Sequence, residues 1–311
     1  MTETAPVTPP PPRKSRVGPF FLGAFSGCLI GLFVFGIFAA VITSSTTGSS
    51  DFSFGNKVAV VPIEGEIVDA RDTLDKLHRY ADNSSVKAMV IRINSPGGAV
   101  APSQEIYEEI RKVRQSSGKP IVASIDTVGA SGGYYIASAC DEIVSNPGSI
   151  TGSIGVILQW MEVKDLVNWA KMQPQTITSG AMKDVGSPYR DMTEPERAYL
   201  QRITAQLHQQ FIRAVFDGRK GRISQADLGR IADGRVFTGE EALALKLVDR
   251  LGNLDDAVGV AGKLAHISGR PSTLYPKKRK NTLLDLLTDT TESKSLIDHV
   301  IDRRAAFLYR W

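Results

Sequence analysis

The sequence is poor in the residues that build disulfide frameworks and metal sites. Its 311 residues include two cysteines and four histidines. Cys28 lies in an apolar N-terminal segment and Cys140 lies far along the chain, so no disulfide framework is predicted. The histidines are scattered, and neither a CxxC nor an HExxH motif occurs. We therefore expect neither a metal site nor a bound cofactor.

The chain also has only a small excess of positive over negative charge. The formal net charge is +4, and much of the excess lies in two short runs, RKSR at 13–16 and KKRK at 277–280. Runs of this length are typical of solvated tails or of charge beside a membrane. So small an excess does not indicate nucleic-acid binding, and no nucleic-acid partner is predicted.

A long segment near the N-terminus, Val17–Ser50, has no charged residue at all. Its apolar centre, at 19–42, would span about 36 Å as an α-helix, enough to cross a bilayer core of about 30 Å. A secretory signal peptide is the alternative, but its apolar region usually has about 7–15 residues. We predict an uncleaved transmembrane anchor at 18–43. The basic run that precedes it places residues 1–17 in the cytoplasm and the remainder outside.

The composition divides the chain into five segments. The Pro-rich residues 1–17 are predicted to be disordered, and the anchor at 18–43 and a Ser/Thr/Gly linker at 44–56 follow them. A globular domain is predicted at 57–270, and a basic and amphipathic tail at 271–311.

Strand-like and helical patterns alternate from residue 57 onward. This alternation favours an α/β fold with a mostly parallel sheet and flanking helices. Strands are predicted at 57–63, 87–93, 120–125, 142–146 and 155–158, and helices at 71–81, 103–115, 193–219, 224–232, 238–252 and 253–265. In the tail, one face of a last helix is predicted from the spacing of Leu296, Ile297, Val300, Ile301 and Leu308.

The stretch DTVGASGGYYIASAC, at 126–140, places Ser131 among three glycines. Glycines permit sharp turns and the close approach of other atoms. The apolar run that follows predicts a buried helix, so Ser131 would lie at a helix N-terminus. Its surroundings match G-x-S-x-G, a pattern of serine nucleophiles. An ordinary N-cap serine is the alternative interpretation.

A serine nucleophile needs a base, and the histidines are poorly placed to supply one. His208 lies within a long helical pattern, and His266 and His299 have no suggestive loop context. Lys183 lies in a Gly/Ser-flanked loop, TSGAMKDVGSPYRDMT at 178–193. A lysine can act as the base when its amine is neutral. A solvated surface lysine is the alternative.

Two further stretches have the composition of an acyl-transfer site. NSPGG, at 94–98, follows a predicted strand, and its glycines allow a backbone N–H to be aimed into a site. With the N–H of Gly132 it would form an oxyanion hole, and a plain strand-to-helix turn is the alternative. Ser153, in SITGSIGVI at 149–157, either orients a lysine amine through its hydroxyl or is a turn serine.

Five blocks of the sequence resemble, in order, those of the signal peptide peptidase A family. They lie within residues 57–262 and read INSPGG, ASGGYYIASACDEIVSNPGSITGSIGVI, SGAMKD, RDMTEPER and GRVFTGEEALALKLVDRLG. Members of this family are membrane-anchored serine proteases of the Clp protease/crotonase fold class, with a Ser/Lys dyad. The tripeptide VGA at 128–130 departs from the two alanines that many members carry before the serine, with no expected effect on the chemistry.

The resemblance implies a role for each of the residues discussed above. Ser131 would be the nucleophile, Lys183 the general base and Ser153 the residue that holds the lysine. Gly98 and Gly132 would be the oxyanion donors.

The resemblance also implies a function. The protein would degrade cleaved signal peptides at the cytoplasmic membrane, with its catalytic domain outside the cytoplasm. Short family members assemble into rings, and double-length members take the serine and the lysine from different halves. A homo-oligomer is therefore expected, with the dyad formed across a protomer boundary. The alternatives are a non-catalytic membrane scaffold, a crotonase-like acyl-CoA enzyme and a His-dependent α/β-hydrolase.

Overall fold

The computed structural model of the protein describes residues 56–276 and the strand at 307–310. The predicted N-terminal tail and membrane anchor lie outside these residues, as does most of the C-terminal tail. Within the described part of the chain, no helix has both the length and the apolar character needed to cross a membrane. The boundaries of the five segments stay predictions.

The described residues alternate between strands and helices. The strands are β1 (Lys57–Glu64), β2 (Val86–Ser95), β3 (Gly97–Ala99), β4 (Ile121–Ala130), β5 (Glu142–Ser145), β6 (Ile150–Gly152), β7 (Ile157–Leu158), β8 (Val236–Thr238), β9 (Arg250–Leu251), β10 (Ser272–Leu274) and β11 (Phe307–Arg310). The helices are α1 (Arg71–Asp82), α2 (Val100–Ser117), α3 (Gly132–Ala137), α4 (Lys164–Trp169), α5 (Glu194–Gly218), α6 (Gln225–Ile231), α7 (Gly239–Ala244) and α8 (Leu254–Leu264).

The main sheet has the strand order β10-β1-β2-β4-β5-β9, and all of these neighbours are parallel. Strand β6 adds to β4 in parallel and to β8 in antiparallel orientation. A small antiparallel sheet has the order β3-β11-β7. The predicted α/β fold with a mainly parallel sheet is confirmed. Its place in the Clp protease/crotonase class stays a prediction.

Both faces of the main sheet are apolar and covered by helices. Along β1, Val58 and Val60 join a buried cluster with Ala257 and Ala261 of α8. The alternate residues of the same strand, Ala59 and Val61, belong to the larger core, which also includes buried residues of α1, α2 and α3. Burial on both faces explains why the central strands are continuous apolar runs, as is usual in parallel sheets.

One local prediction was wrong. Leu308 lies in strand β11 and not in a last helix, while residues 296–301 of that predicted helix lie outside the described chain. Pairing with β3 and β7 overrides the helical spacing there, because neighbouring strands satisfy the backbone hydrogen bonds. SITGSIGVI also contains a short strand, β6, directly before Ser153, which was not predicted.

A buried ion pair joins the end of α5 to the sheet. The guanidinium of Arg219 is about 1% exposed and donates to both carboxylate oxygens of Asp249, at 2.7 and 2.8 Å. The same carboxylate accepts the N–H of Ile143 in β5 at 2.8 Å. Burial alone would raise the pKa of Asp249, but the hydrogen bonds and charge of Arg219 outweigh it and hold that pKa below its ordinary value.

We expect Asp249→Asn to lower the free energy of unfolding by about 3–5 kcal/mol, because it leaves the buried Arg219 without its counter-charge. The contribution of a carboxylate with a lowered pKa is present above its unfolded value of about 4 and is lost as the pH falls through the folded value. Urea unfolding at neutral and acid pH measures both effects. Arg270→Gln, which removes an exposed pair with Asp255, should cost under about 1 kcal/mol. An equal loss in the free energy of unfolding for Asp249→Asn and Arg270→Gln would contradict the prediction.

Candidate active site

The carboxyl ends of β2 and β4 bring two of the predicted motifs together. These strands are parallel neighbours, and Ser95 at the end of β2 is in register with Gly129 near the end of β4. The NSPGG turn therefore leaves the sheet beside the glycine-rich stretch that contains Ser131. In α/β sheets, the carboxyl edge is where binding sites usually form.

Ser131 occupies a strained position between β4 and α3. Its backbone has φ 53° and ψ −117°, a conformation that non-glycine residues rarely adopt. Its N–H donates to the carbonyl of Gly152 at 2.9 Å, and its side chain makes no helix-capping hydrogen bond. The Oγ is buried and has no hydrogen-bond partner within the described chain. A buried hydroxyl without a partner destabilises a fold. An N-cap serine would use its hydroxyl in a capping bond, so the N-cap interpretation does not explain why this hydroxyl is buried without one.

The N–H of Gly98 points away from Ile67. Ile67 donates its N–H to the carbonyl of Gly97 at 2.9 Å and accepts the N–H of Ala99 at 2.7 Å. Directions alternate along an extended chain, so the Gly98 N–H points to the opposite side of β3, where β11 lies. A Cβ on Gly98 would lie 2.2 Å from the carbonyl oxygen of Ile67. Only glycine permits this approach.

Gly132 lies against the same turn. A Cβ built on it would be 2.5 Å from the Oγ of Ser103 and 3.3 Å from the backbone nitrogen of Gly98. The two predicted oxyanion donors are therefore neighbours, although 34 positions separate them in the sequence. The fold thus brings two glycine backbones together at the residue that follows Ser131.

Ser153 also reaches the site. It directly follows β6, in which Gly152 is in register with Ala130 of β4, so Ser153 and Ser131 leave adjacent strands side by side. It is buried and has φ 51°. Its N–H donates to the carbonyl of Arg235 at 2.8 Å.

Lys183 differs from the other predicted site residues, because it is exposed and they are buried. It lies in a turn between α4 and α5, where it is exposed, and its N–H donates to the carbonyl of Gly180 at 3.0 Å. Because the Oγ of Ser131 has no partner among the described residues, the Lys183 amine is not hydrogen-bonded to it within one chain.

The segment around Lys183 exposes many large apolar side chains to solvent. We refer to residues 160–192 as the Lys183 segment. Its exposed large apolar side chains are Met161, Leu166, Trp169, Met172, Ile177, Met182 and Tyr189. Exposed apolar surface of this extent commonly marks an interface.

An extended strand of the chain itself lies beside the candidate site. Strand β11 runs antiparallel to β3 on one side and to β7 on the other, with Tyr309 in register with Gly98. We call the space between β3 and β7 the β3–β7 groove. No sequence pattern predicted this groove, because the two strands that form it, and the strand β11 that lies in it, are far apart in the chain.

Comparison with known proteins agrees with the geometry. The sequence profile described as peptidase family S49 matches residues 113–268, half of the chain. A relative from Synechocystis sp. is 38% identical over 210 residues, which cover 67% of this chain and 74% of the relative. The chain belongs to peptidase family S49. It is therefore a serine peptidase.

Two other relatives are longer chains. Protease 4 of Salmonella typhi is 32% identical over 246 residues, or 76% of this S49 peptidase and 39% of the relative. The chloroplastic serine protease SPPA of Arabidopsis thaliana is 30% identical over 240 residues, or 76% of this chain and 33% of the relative. The matched part of the chain thus covers between a third and two fifths of the length of each.

Proposed function

We propose that this S49 peptidase is a membrane-anchored endopeptidase with a Ser131/Lys183 dyad, which degrades cleaved signal peptides at the cytoplasmic membrane. The observation that carries the proposal is the environment of Ser131: its backbone is strained, its buried hydroxyl has no partner among the described residues, and the adjoining Gly132 packs against Gly98. A catalytic serine needs this combination, because a hydroxyl held without a partner is ready to receive a base and a substrate carbonyl.

The proposed reaction follows from these positions. The neutral amine of Lys183 takes the proton of Ser131, and the Oγ attacks the scissile carbonyl carbon. The carbonyl oxygen becomes an oxyanion held by the N–H groups of Gly98 and Gly132. Lys183 then gives its proton to the leaving amine as the C–N bond breaks. Water, deprotonated by Lys183, hydrolyses the acyl-enzyme and restores Ser131. Ser153 would orient the lysine amine.

We propose that Lys183 comes from a neighbouring protomer in a homo-oligomeric ring. Three observations support this arrangement: Lys183 is exposed, Ser131 has no partner among the described residues, and the Lys183 segment has exposed apolar side chains. Contact of that segment with a second copy would bury its apolar side chains.

The substrate would bind as an extended strand in the β3–β7 groove. Strand β11 supports this proposal, because it uses main-chain pairing with β3 and β7, and such pairing is independent of the side chains of the bound strand. Cleaved signal peptides are short and apolar and are released at the membrane. The predicted anchor at 18–43 would hold the groove close to them, with the catalytic domain outside the cytoplasm.

Deletion of residues 307–311 should lower the KM for peptide substrates at least about threefold, because a site that is occupied for part of the time binds with reduced apparent affinity. The kcat should change little. Steady-state kinetics on a fluorogenic apolar peptide measure both constants.

The free peptide FLYRW, with the sequence of 307–311, provides the control for this deletion. It should inhibit the truncated protein competitively and inhibit the full chain less. An unchanged KM, together with no inhibition of the truncated protein, would show that β11 does not compete with substrates.

Hydrolysis by the purified full chain in detergent or nanodiscs tests the proposed function. A synthetic signal peptide should be cleaved, with products identified by mass spectrometry, and a folded protein of similar composition should survive. A fluorophosphonate probe should label wild type and leave Ser131→Ala unlabelled. Absence of both cleavage and labelling would favour the membrane scaffold.

A further inference from the structure

Ser95, the last residue of β2, links the two predicted oxyanion donors. It is fully buried, and its Oγ accepts the N–H of Gly97 at 3.1 Å. Its carbonyl oxygen lies 3.0 Å from the point where a Cβ of Gly133 would be. Ser95 therefore contacts the turn that leads to Gly98 and also the first turn of α3, which contains Gly132.

Gly97 is the point at which this turn can rotate. Its φ is +102°, a conformation that strongly favours glycine. The carbonyl of Gly97 and the N–H of Gly98 belong to one trans peptide and so point in opposite directions. The bond from the Ile67 N–H to that carbonyl holds the peptide on one side of Gly97.

The peptide on the other side of Gly97 is held by Ser95. This peptide joins Pro96 to Gly97, and its N–H is the group that the Oγ of Ser95 binds. Without this bond, the peptide could rotate about the flexible φ of Gly97 and the turn could change its approach to α3. Pro96 has a fixed φ, so the freedom that remains in this part of the turn lies at Gly97.

We infer that Ser95 is a positioning residue for the oxyanion hole. Its hydroxyl fixes the conformation of Gly97 and thereby aims the N–H of Gly98 into the β3–β7 groove. The inference rests on the proposed function, in which Gly98 is an oxyanion donor. Ser95 acts through Gly97 and does not itself contact the substrate.

Ser95→Ala should lower kcat about 10- to 100-fold, part of the 10²- to 10³-fold cost of removing an oxyanion donor. The KM should stay within about twofold, because the oxyanion develops after binding. The Ki of a peptide aldehyde, whose adduct with Ser131 places an oxygen in the oxyanion hole, should rise in parallel with the loss of kcat/KM. The Ki of the matching peptide alcohol, which forms no adduct, should not change.

Two conservative variants separate positioning from packing. Ser95→Thr keeps the hydroxyl and should recover most of the kcat. Ser95→Cys keeps nearly the volume but offers a weak acceptor, so its kcat should lie between those of Ser95→Ala and wild type. Ser138→Ala is the matched control, since Ser138 is also fully buried and its Oγ donates to a backbone carbonyl, that of Tyr135, at 2.6 Å. Its kcat should equal that of wild type.

The inference is overturned if wild type is active and Ser95→Ala keeps its kcat within about twofold, a change too small for a misplaced oxyanion donor. It is also overturned if the Ki values of the aldehyde and the alcohol rise equally, or if Ser95→Thr and Ser95→Ala have the same kcat. If wild type cleaves no peptide, the proposed function itself fails, and the inference falls with it.

Discussion

Ser131→Ala and Lys183→Ala should each lose at least about 10⁴-fold in kcat, because the proposed nucleophile and its proposed base would act as a unit. When the two inactive proteins are mixed under conditions that exchange protomers, activity should return. A junction regains both groups when a Lys183→Ala protomer supplies Ser131 and a Ser131→Ala protomer supplies Lys183. In a randomly mixed ring of head-to-tail contacts, about a quarter of the junctions have this composition.

The recovery of activity on mixing decides whether Lys183 comes from the same chain as Ser131 or from a neighbouring one. Initial rates on a fluorogenic apolar peptide should rise with the mixing time and approach about a quarter of the wild-type rate. Lys164→Ala mixed with Ser131→Ala is a suitable control, since Lys164 is on the same exposed segment and pairs with Asp191. Lys164→Ala should be active by itself. If mixing restored nothing although exchange was demonstrated, the dyad would have to form within one chain.

Gly132→Ala should lower kcat by about 10²- to 10³-fold, the usual cost of losing an oxyanion donor. The new methyl group would lie 2.5 Å from the Oγ of Ser103 and 3.3 Å from the nitrogen of Gly98, so α3 and the turn must move apart. Steady-state kinetics should show the loss in kcat with little change in KM.

The double variant Gly132→Ala/Ser103→Ala tests the physical reason for this loss. Removing the Oγ of Ser103 relieves the shortest contact, so part of the kcat should return. Gly148→Ala is the control, because a Cβ there would meet no atom within 4 Å and its kcat should be unchanged. If Gly132→Ala retained full activity, the N–H at this position would not be an oxyanion donor.

Much of the fold was predictable because the relevant signals are local. The strand at 57–63 and the helix at 71–81 were predicted to within a residue at each end, since the periodicity of the apolar residues reports burial directly. The short strands β8 and β9 were missed. They have three and two residues, and only their neighbours in the sheet make them strands.

The candidate site was predictable to the extent that each residue has its own motif. Ser131 and Gly132 stand in one glycine-rich stretch, and the helix that follows is apolar. No such pattern marks Ile67, whose backbone holds both sides of Gly98. Ser95 lies within NSPGG, but the motif does not indicate that its hydroxyl accepts the N–H of Gly97. Their contributions come from main-chain geometry and from one buried hydroxyl, which composition and spacing do not encode.

The sequence by itself determined the family, the α/β alternation and the identity of the candidate nucleophile, because each depends on residues that are close together in the chain. The tertiary structure decided which groups meet: it brought Gly98 to Gly132, left the hydroxyl of Ser131 without a partner among the described residues, and placed β11 in the β3–β7 groove. Contacts between distant segments depend on the register and direction of whole strands, and a local pattern fixes neither.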